Sequence, residues 1–232
     1  MAELIHLSVK ARICVNKSTY AHMDALGDPR DGDMDHVSEA YGARATEYIE
    51  LLGSVEAMHP SDRALIASWG EQLEGAVLDA GCGPGHWTNF LAERGVDIRG
   101  IDLTPAFVEH ARGSYPNLRF ATGSLEALDA SNASLGGVLA WYSLIHHAPD
   151  AIGSALDEIA RVLRPGGSLL IGFFEGVVIE PFDHAVTTAY HWPVAELSER
   201  LRASGFENVE THTRTGVGYR PHAAIVARRV EA

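Results

Sequence analysis

From residue 77 onward the sequence alternates short apolar runs with helix-like stretches, and this alternation leaves few folds open. Val77-Leu78-Asp79, Val96 to Ile101, Leu118 to Ala121, Gly137 to Tyr142 and Ser168 to Phe174 are apolar runs bounded by Gly, Pro or Asn, as strands are. Between them, Thr88 to Arg94, Pro105 to Ser114 and Asp150 to Leu163 have helical character, and the last is closed by Arg164-Pro165-Gly166-Gly167, which no helix continues through. Strands joined by crossover helices lie parallel, so the chain is predicted to be an α/β protein with helices on both faces of a mostly parallel sheet. In such sheets a ligand sits at the carboxyl ends of the strands. Two closing strands, Asn208 to Thr213 and Ala223 to Arg228, are predicted to form an antiparallel hairpin at the sheet edge, for a total of seven strands. Upstream, a helix is expected from Val37 with Ser38 as its cap and Gly53 as its end, and another over Ser61 to Leu73.

The first strand runs into Asp79-Ala80-Gly81-Cys82-Gly83-Pro84-Gly85-His86-Trp87. Glycines between a strand and a helix let the backbone turn tightly and approach a ligand, because no Cβ stands in the way. A dinucleotide-binding turn places a third glycine or an alanine where this chain has His86, which disfavours close packing on a pyrophosphate. Asp102 ends the second strand in Gly100-Ile101-Asp102-Leu103, about 20 residues further on, where a carboxylate accepts from both ribose hydroxyls of an adenosine. Together these features select a nucleoside ligand with no required diphosphate. Taken singly, Asp79 and Asp102 also suit helix caps and each glycine an ordinary turn; their order on successive strands favours the ligand reading.

Val77 to Gly85 resembles the first motif of the class I S-adenosylmethionine-dependent methyltransferases, Gly100 to Leu103 their ribose-binding motif, and Leu163 to Gly167 the turn into their fifth strand. The resemblance covers the chain from about Val37 to its end and implies a Rossmann-like fold with S-adenosyl-L-methionine as cofactor. It implies that Gly81, Gly83 and Gly85 line the methionine moiety, that Asp79 organises its amino group, that Asp102 holds the ribose and that Leu103 packs beside the adenine. The segment Gly123-Ser124-Leu125-Glu126 matches a loop that usually presents an acid to the adenine amino group; here Ser124 stands there, leaving the Leu125 amide to meet the ring. Trp141-Tyr142-Ser143-Leu144-Ile145-His146-His147 resembles the stretch passing under the methyl donor, with the Trp141 carbonyl facing the ammonium. Tyr41, Cys82, Trp87 and Tyr142 complete the expected donor lining.

Methyl transfer from a sulfonium is an in-line displacement, so positioning dominates and a base is added only when the acceptor must lose a proton. His146, just after the fourth strand, is the candidate catalytic base, with an intrinsic pKa of about 6.5; a packing or capping role is the competing reading. Cys82 is read as a small residue that fits the turn, not a nucleophile. Glu175 to Trp192 is irregular in sequence and too long for an ordinary connection of about 4–6 residues. It is expected to bind the acceptor through His184, Tyr190 and Trp192, an aromatic and carboxylate lining suited to an amine or a phenol-like molecule.

A net charge of −13 argues against a phosphate-backbone or anionic-membrane partner. The two cysteines, Cys14 and Cys82, offer neither a disulfide framework nor a metal-ligand spacing, so no metal is expected. No apolar run approaches the roughly 20 residues of a membrane span, and a cytoplasmic protein acting on a small molecule, with a homodimer as its assembly option, is expected. Residues 1–36 hold both lysines, Lys10 and Lys17, and read as an extension, flexible or a lid, ahead of a methyltransferase domain over 37–232. A nicotinamide-dependent oxidoreductase and a non-catalytic nucleoside-binding regulator are the alternatives. His86, and the restriction of both lysines to the extension, disfavour the former.

Overall fold

A computed structural model describes residues 34–231; most of the expected extension, with Cys14, Lys10 and Lys17, lies outside the described residues. Helix α1 (Met34–Ala43) begins three residues before Val37, and Ser38 is not its cap: the Ser38 hydroxyl donates to the Leu103 carbonyl at 2.9 Å. The helix expected to run on to residue 52 is interrupted at Arg44 (φ −118°), so that α2 (Ala45–Leu52) starts anew. Helix α3 (Pro60–Gly70) is capped by His59, whose ring accepts from the Ser61 N–H. Proline favours the first helical position, where its missing N–H costs nothing.

Strand β1 (Val77–Ala80) is buried throughout, which is why its sequence is apolar without alternation. It pairs in parallel with β2 (Ile98–Asp102) on one side and β4 (Leu135–Trp141) on the other. Strand β3 (Phe120–Thr122) extends the sheet from β2, and β5 (Leu163–Glu175) extends it from β4. The crossovers are α4 (His86–Ala92), α5 (Pro105–Ser114) and α6 (Ile152–Val162). Helix α6 buries Ile152, Ala155, Leu156 and Ile159, the i, i+3, i+4, i+7 stripe of a helix laid on a sheet. The strand order reverses between β1 and β4, the switch point outside which ligands bind in such sheets.

Two elements differ from expectation. The Arg164 to Gly167 turn is drawn into β5, where the ladder to β4 shifts register between Leu135 and Gly137. The stretch taken as irregular carries a hairpin, β6 (Glu180–Asp183) and β7 (Thr188–Trp192). After α7 (Val194–Ala203), the chain closes with β8 (Phe206–Arg214) and β9 (His222–Arg229), antiparallel to each other, with β9 antiparallel to β5. The seven expected strands are therefore present, and the hairpin makes nine in one sheet among the described residues.

The hairpin's place follows from the ladder. Residues 168–172 of β5 lie between β4 and β9, whereas Phe174 pairs with His222 of β9 and His191 of β7. Strand β7 therefore occupies the lane that β4 leaves after Trp141. The chain departs there at Tyr142, one of two non-glycine residues with positive φ (57°) among those described, a conformation uncommon for a side chain of this size.

Candidate functional site

A cavity of about 210 Å³ opens at the switch point. Gly81, Cys82, Gly83 and Trp87 form one side, Trp141, Tyr142 and Ile145 the next, and Arg44 with Glu47 and Tyr48 of α2 a third. Phe174, His184, Arg220 and His222 complete the far wall.

The turn needs its glycines for two different reasons. Gly81 has φ +82°, and a Cβ there would overlap the Ser143 side chain, so the turn and the end of β4 touch directly. Gly83 has φ +54°, and a Cβ there would meet nothing within 4 Å: the space over it is open to the cavity. The Asp102 carboxylate holds this turn, accepting from the Gly83 N–H and the Thr104 N–H, both at 2.8 Å. Burial raises the pKa of Asp102 despite these bonds. Asp79 is 1% exposed and accepts from the Thr88 hydroxyl at 2.6 Å. Burial above all lifts its pKa to about 7, against the Thr88 bond that lowers it. Burial, with Asp79 and Asp102 nearby, pushes the Cys82 thiol up, so the group is a protonated, buried filler and not a nucleophile.

Of the other residues expected at the donor, Gly85 is pressed against Ala111 and Phe120 and shapes the turn from behind. Leu103 receives the Ser38 hydroxyl, which ties α1 over that end of β2. The Ser124 hydroxyl accepts from the Glu126 N–H at 3.1 Å, and Leu125 is buried in the main core. Tyr41 packs edge-on to Tyr48 and Phe107.

His146 does not fit the part of a base. Its Nδ1 lies 2.7 Å from the Thr188 carbonyl, which can only accept, so Nδ1 carries the proton. Its Nε2 then accepts from the Tyr41 hydroxyl at 2.9 Å. Neither nitrogen is left for an acceptor, and burial pulls the pKa down to about 4. His146 is a strut between α1 and β7. Tyr190 and Trp192 are likewise displaced from the expected acceptor lining: they are 6% and 1% exposed and pack in the main core, because alternation along β7 puts both on the same, inward face. His184 alone of the three lines the cavity.

Several cavity residues carried no sequence signal. His222 shares a hydrogen bond with the Tyr142 hydroxyl across 80 positions of sequence. Arg44 donates to the Ala185 carbonyl and pairs with Glu47 at 2.7 Å. His86, read only as a departure from a dinucleotide turn, lines the cavity while 6% exposed, with neither ring nitrogen partnered among the described residues. Burial draws its pKa to about 4. The Ser143 hydroxyl is a second buried polar group without a partner among the described residues. No group of residues suited to hold a metal ion occurs among those described, and no helix among them is long and apolar enough to cross a membrane.

Comparison with known proteins gives a consistent result. The family described as Methyltransferase domain matches residues 77–167, from β1 to the start of β5. A malonyl-[acyl-carrier protein] O-methyltransferase of Pseudescherichia vulneris is 30% identical over 133 residues, covering 57% of this chain and 51% of that protein. The chain thus spans about half the length of the curated relatives it matches. The crystal structure of Burkholderia thailandensis 1,6-didemethyltoxoflavin-N1-methyltransferase, with bound 1,6-didemethyltoxoflavin and S-adenosylhomocysteine, superposes with a TM-score of 0.74 at 24% identity, over 94% of this chain and 99% of that one. The [4+2]-cyclase SpnF shares the fold at a TM-score of 0.72 and 20% identity, over 89% of this chain and 100% of that one. The matched domain and the curated relatives identify a class I S-adenosylmethionine-dependent methyltransferase domain over residues 77–167, and the solved structures share its fold.

Proposed function

We propose that this protein transfers the methyl group of S-adenosylmethionine to an oxygen or nitrogen of a small molecule. The observation that carries this reading is the buried Asp102 carboxylate pinning the Gly83 amide, which sets an acid directly behind a bare, open stretch of backbone at the carboxyl ends of β1 and β2. The residues fit the donor: Gly83 leaves room where a Cβ would stand, and the Ser143 hydroxyl waits unpartnered among the described residues. Asp102, whose oxygens retain lone pairs beyond their two amide bonds, would hold the ribose. Asp79 and the Trp141 carbonyl would face the ammonium, and Leu103, Ser124 and Leu125 would border the adenine.

Bound S-adenosylmethionine supplies an electrophilic methyl group on a sulfonium. The chain's own part is to orient both reactants and exclude water, which accounts for a large share of catalysis in such displacements. Helix α1 is held over the site by Ser38 on Leu103 and by Tyr41 on His146. The relatives' named acceptors range from malonyl-[acyl-carrier protein] to 1,6-didemethyltoxoflavin; the walled cavity supports the small molecule. Calorimetric titration with S-adenosylmethionine, S-adenosylhomocysteine and NAD, followed by a labelled-methyl screen of metabolite pools, tests the proposal. Binding of the first two and label incorporation are expected. Binding of NAD alone would point to an oxidoreductase, and donor binding without any transfer to a regulator.

A further inference from the structure

Resting on the methyl-transfer reading, His86 gains a use that the sequence did not suggest. Its ring lines the cavity while the residue is only 6% exposed, and neither nitrogen has a partner among the described residues. A buried polar group without a partner is costly, and an apolar ring would fill the same space without that cost. Burial keeps the imidazole uncharged, its pKa drawn down to about 4, so it carries one N–H to donate and one bare nitrogen to accept. Glu56, on the short turn Val55–Ala57 that follows α2, acts on the ring in the opposite sense but is exposed, where water screens it.

The surroundings of the ring select one end of the donor. The glycine turn is pinned on its β2 side by Asp102, the ribose residue of the proposed site. His86 belongs to the side toward β4: its ring centre is 5.4 Å from that of Trp87, which meets Trp141 at the end of β4 with ring centres 6.3 Å apart. There the amino-acid end of the donor is proposed to lie, with Asp79 and the Trp141 carbonyl as acceptors for its ammonium. The carboxylate of the same end needs a donor instead. The arginines of the cavity wall are committed elsewhere, Arg44 to Glu47 and the Ala185 carbonyl, and Arg220 to the Asp183 carbonyl at 3.3 Å. The donor thus takes the wall of the glycine turn and leaves the far wall of Phe174, His184 and His222 to the acceptor.

We propose that His86 donates a hydrogen bond to the α-carboxylate of S-adenosylmethionine and makes the site selective for this donor over its decarboxylated form. Because neither nitrogen holds a partner among the described residues, rotation of the ring about its Cβ–Cγ bond breaks no hydrogen bond, and a half-turn exchanges the nitrogens with ring carbons. The ring can therefore bring an N–H to the cavity at little cost. A bond made only when the carboxylate is present anchors the chain that carries the sulfonium.

The test is calorimetric titration of the full chain with S-adenosylmethionine, S-adenosylhomocysteine, decarboxylated S-adenosylmethionine and 5′-methylthioadenosine, the last lacking the amino-acid end altogether. S-adenosylmethionine should bind the parent at least about tenfold more tightly than its decarboxylated form, the worth of one hydrogen bond to a charged group. His86→Phe, which keeps a ring and removes the N–H, should lower affinity for S-adenosylmethionine and S-adenosylhomocysteine at least about tenfold and leave the other two within about twofold. His86→Gln, which keeps a side-chain N–H, should restore part of the preference. A ratio of ligands within one protein is not imitated by a general loss of stability. No preference for the carboxylate in the parent, a preference retained in His86→Phe, or equal losses for all four ligands would each overturn the proposal, the last making His86 a packing residue. Failure of the parent to bind S-adenosylhomocysteine would instead bring down the donor reading on which it rests.

Discussion

Asp102→Asn separates a structural role from a ligand-binding one. The carboxylate accepts two backbone N–H groups at 2.8 Å. Asparagine keeps the shape and one acceptor oxygen, but sets its NH₂ against the second donor. A hydrogen bond to a charged acceptor contributes about 1.5–3 kcal/mol, and a buried donor left without a partner costs about 1–3 kcal/mol. Against this, the raised Asp102 pKa shows that burying the charge is itself unfavourable, and the neutral amide relieves that cost. The net loss should therefore sit near the low end, about 2 kcal/mol, which for a domain of this size lowers Tm by about 4–8 °C. Donor affinity should fall at least about tenfold, because the ribose loses a charged acceptor and Gly83 loses its anchor. Calorimetry with S-adenosylhomocysteine at a temperature where both proteins are fully folded is the deciding measurement. A lowered Tm with unchanged affinity would make Asp102 a mere pin of the turn, and an unchanged Tm would refute the hydrogen-bond argument itself.

Gly81→Ala should lose about 2–4 kcal/mol, combining overpacking against Ser143 with a strained positive φ, and a denaturant midpoint within error of the parent would contradict that close approach. His146→Gln should slow methyl transfer far less than the roughly 100-fold cost of losing a general base, and leave the pH profile between 6 and 8 unaltered; a pH limb that disappears with the histidine would restore it as the base. Asp79 gives a pH signature. Its pKa of about 7 lies above the unfolded value of about 3.9, so the folded state holds the proton more tightly, and the stability contributed is present below about pH 4 and lost as pH rises through 7. Asp79→Asn should therefore show a shallower fall in Tm between pH 5 and 7.5, and parallel curves would count against the raised value. Donor binding should also release protons near pH 7, seen as buffer-dependent heats that vanish in the same variant.

What the sequence disclosed and what it hid divide along the range of the interactions. Local rules suffice for β1, for the glycine turn and for α5, whose proline start and length match expectation. They fail at Glu175 to Trp192, where Pro181 and scattered charges hide a hairpin that exists because β5 offers it an unpaired edge. His146 illustrates the same limit. Its position after β4 suggested chemistry, but the Thr188 carbonyl and the Tyr41 hydroxyl that occupy its nitrogens come from 42 positions downstream and 105 upstream. His222 opens an unremarkable closing strand, and only the pairing of β9 with β5 brings it opposite Phe174.

The departure of β4 at Tyr142 has a consequence for how the reaction distance is set. Because β7 inherits the lane beside β5, a single continuous strand meets the donor side through Gly172 next to Trp141 and the far wall through Phe174, two residues on. With donor and acceptor placed as proposed, the spacing between their sites is set by one rail of backbone and not by α1. On that placement, substitutions in the 176–188 stretch can re-cut the far wall for a different acceptor while the backbone from Gly172 to Phe174 keeps its length.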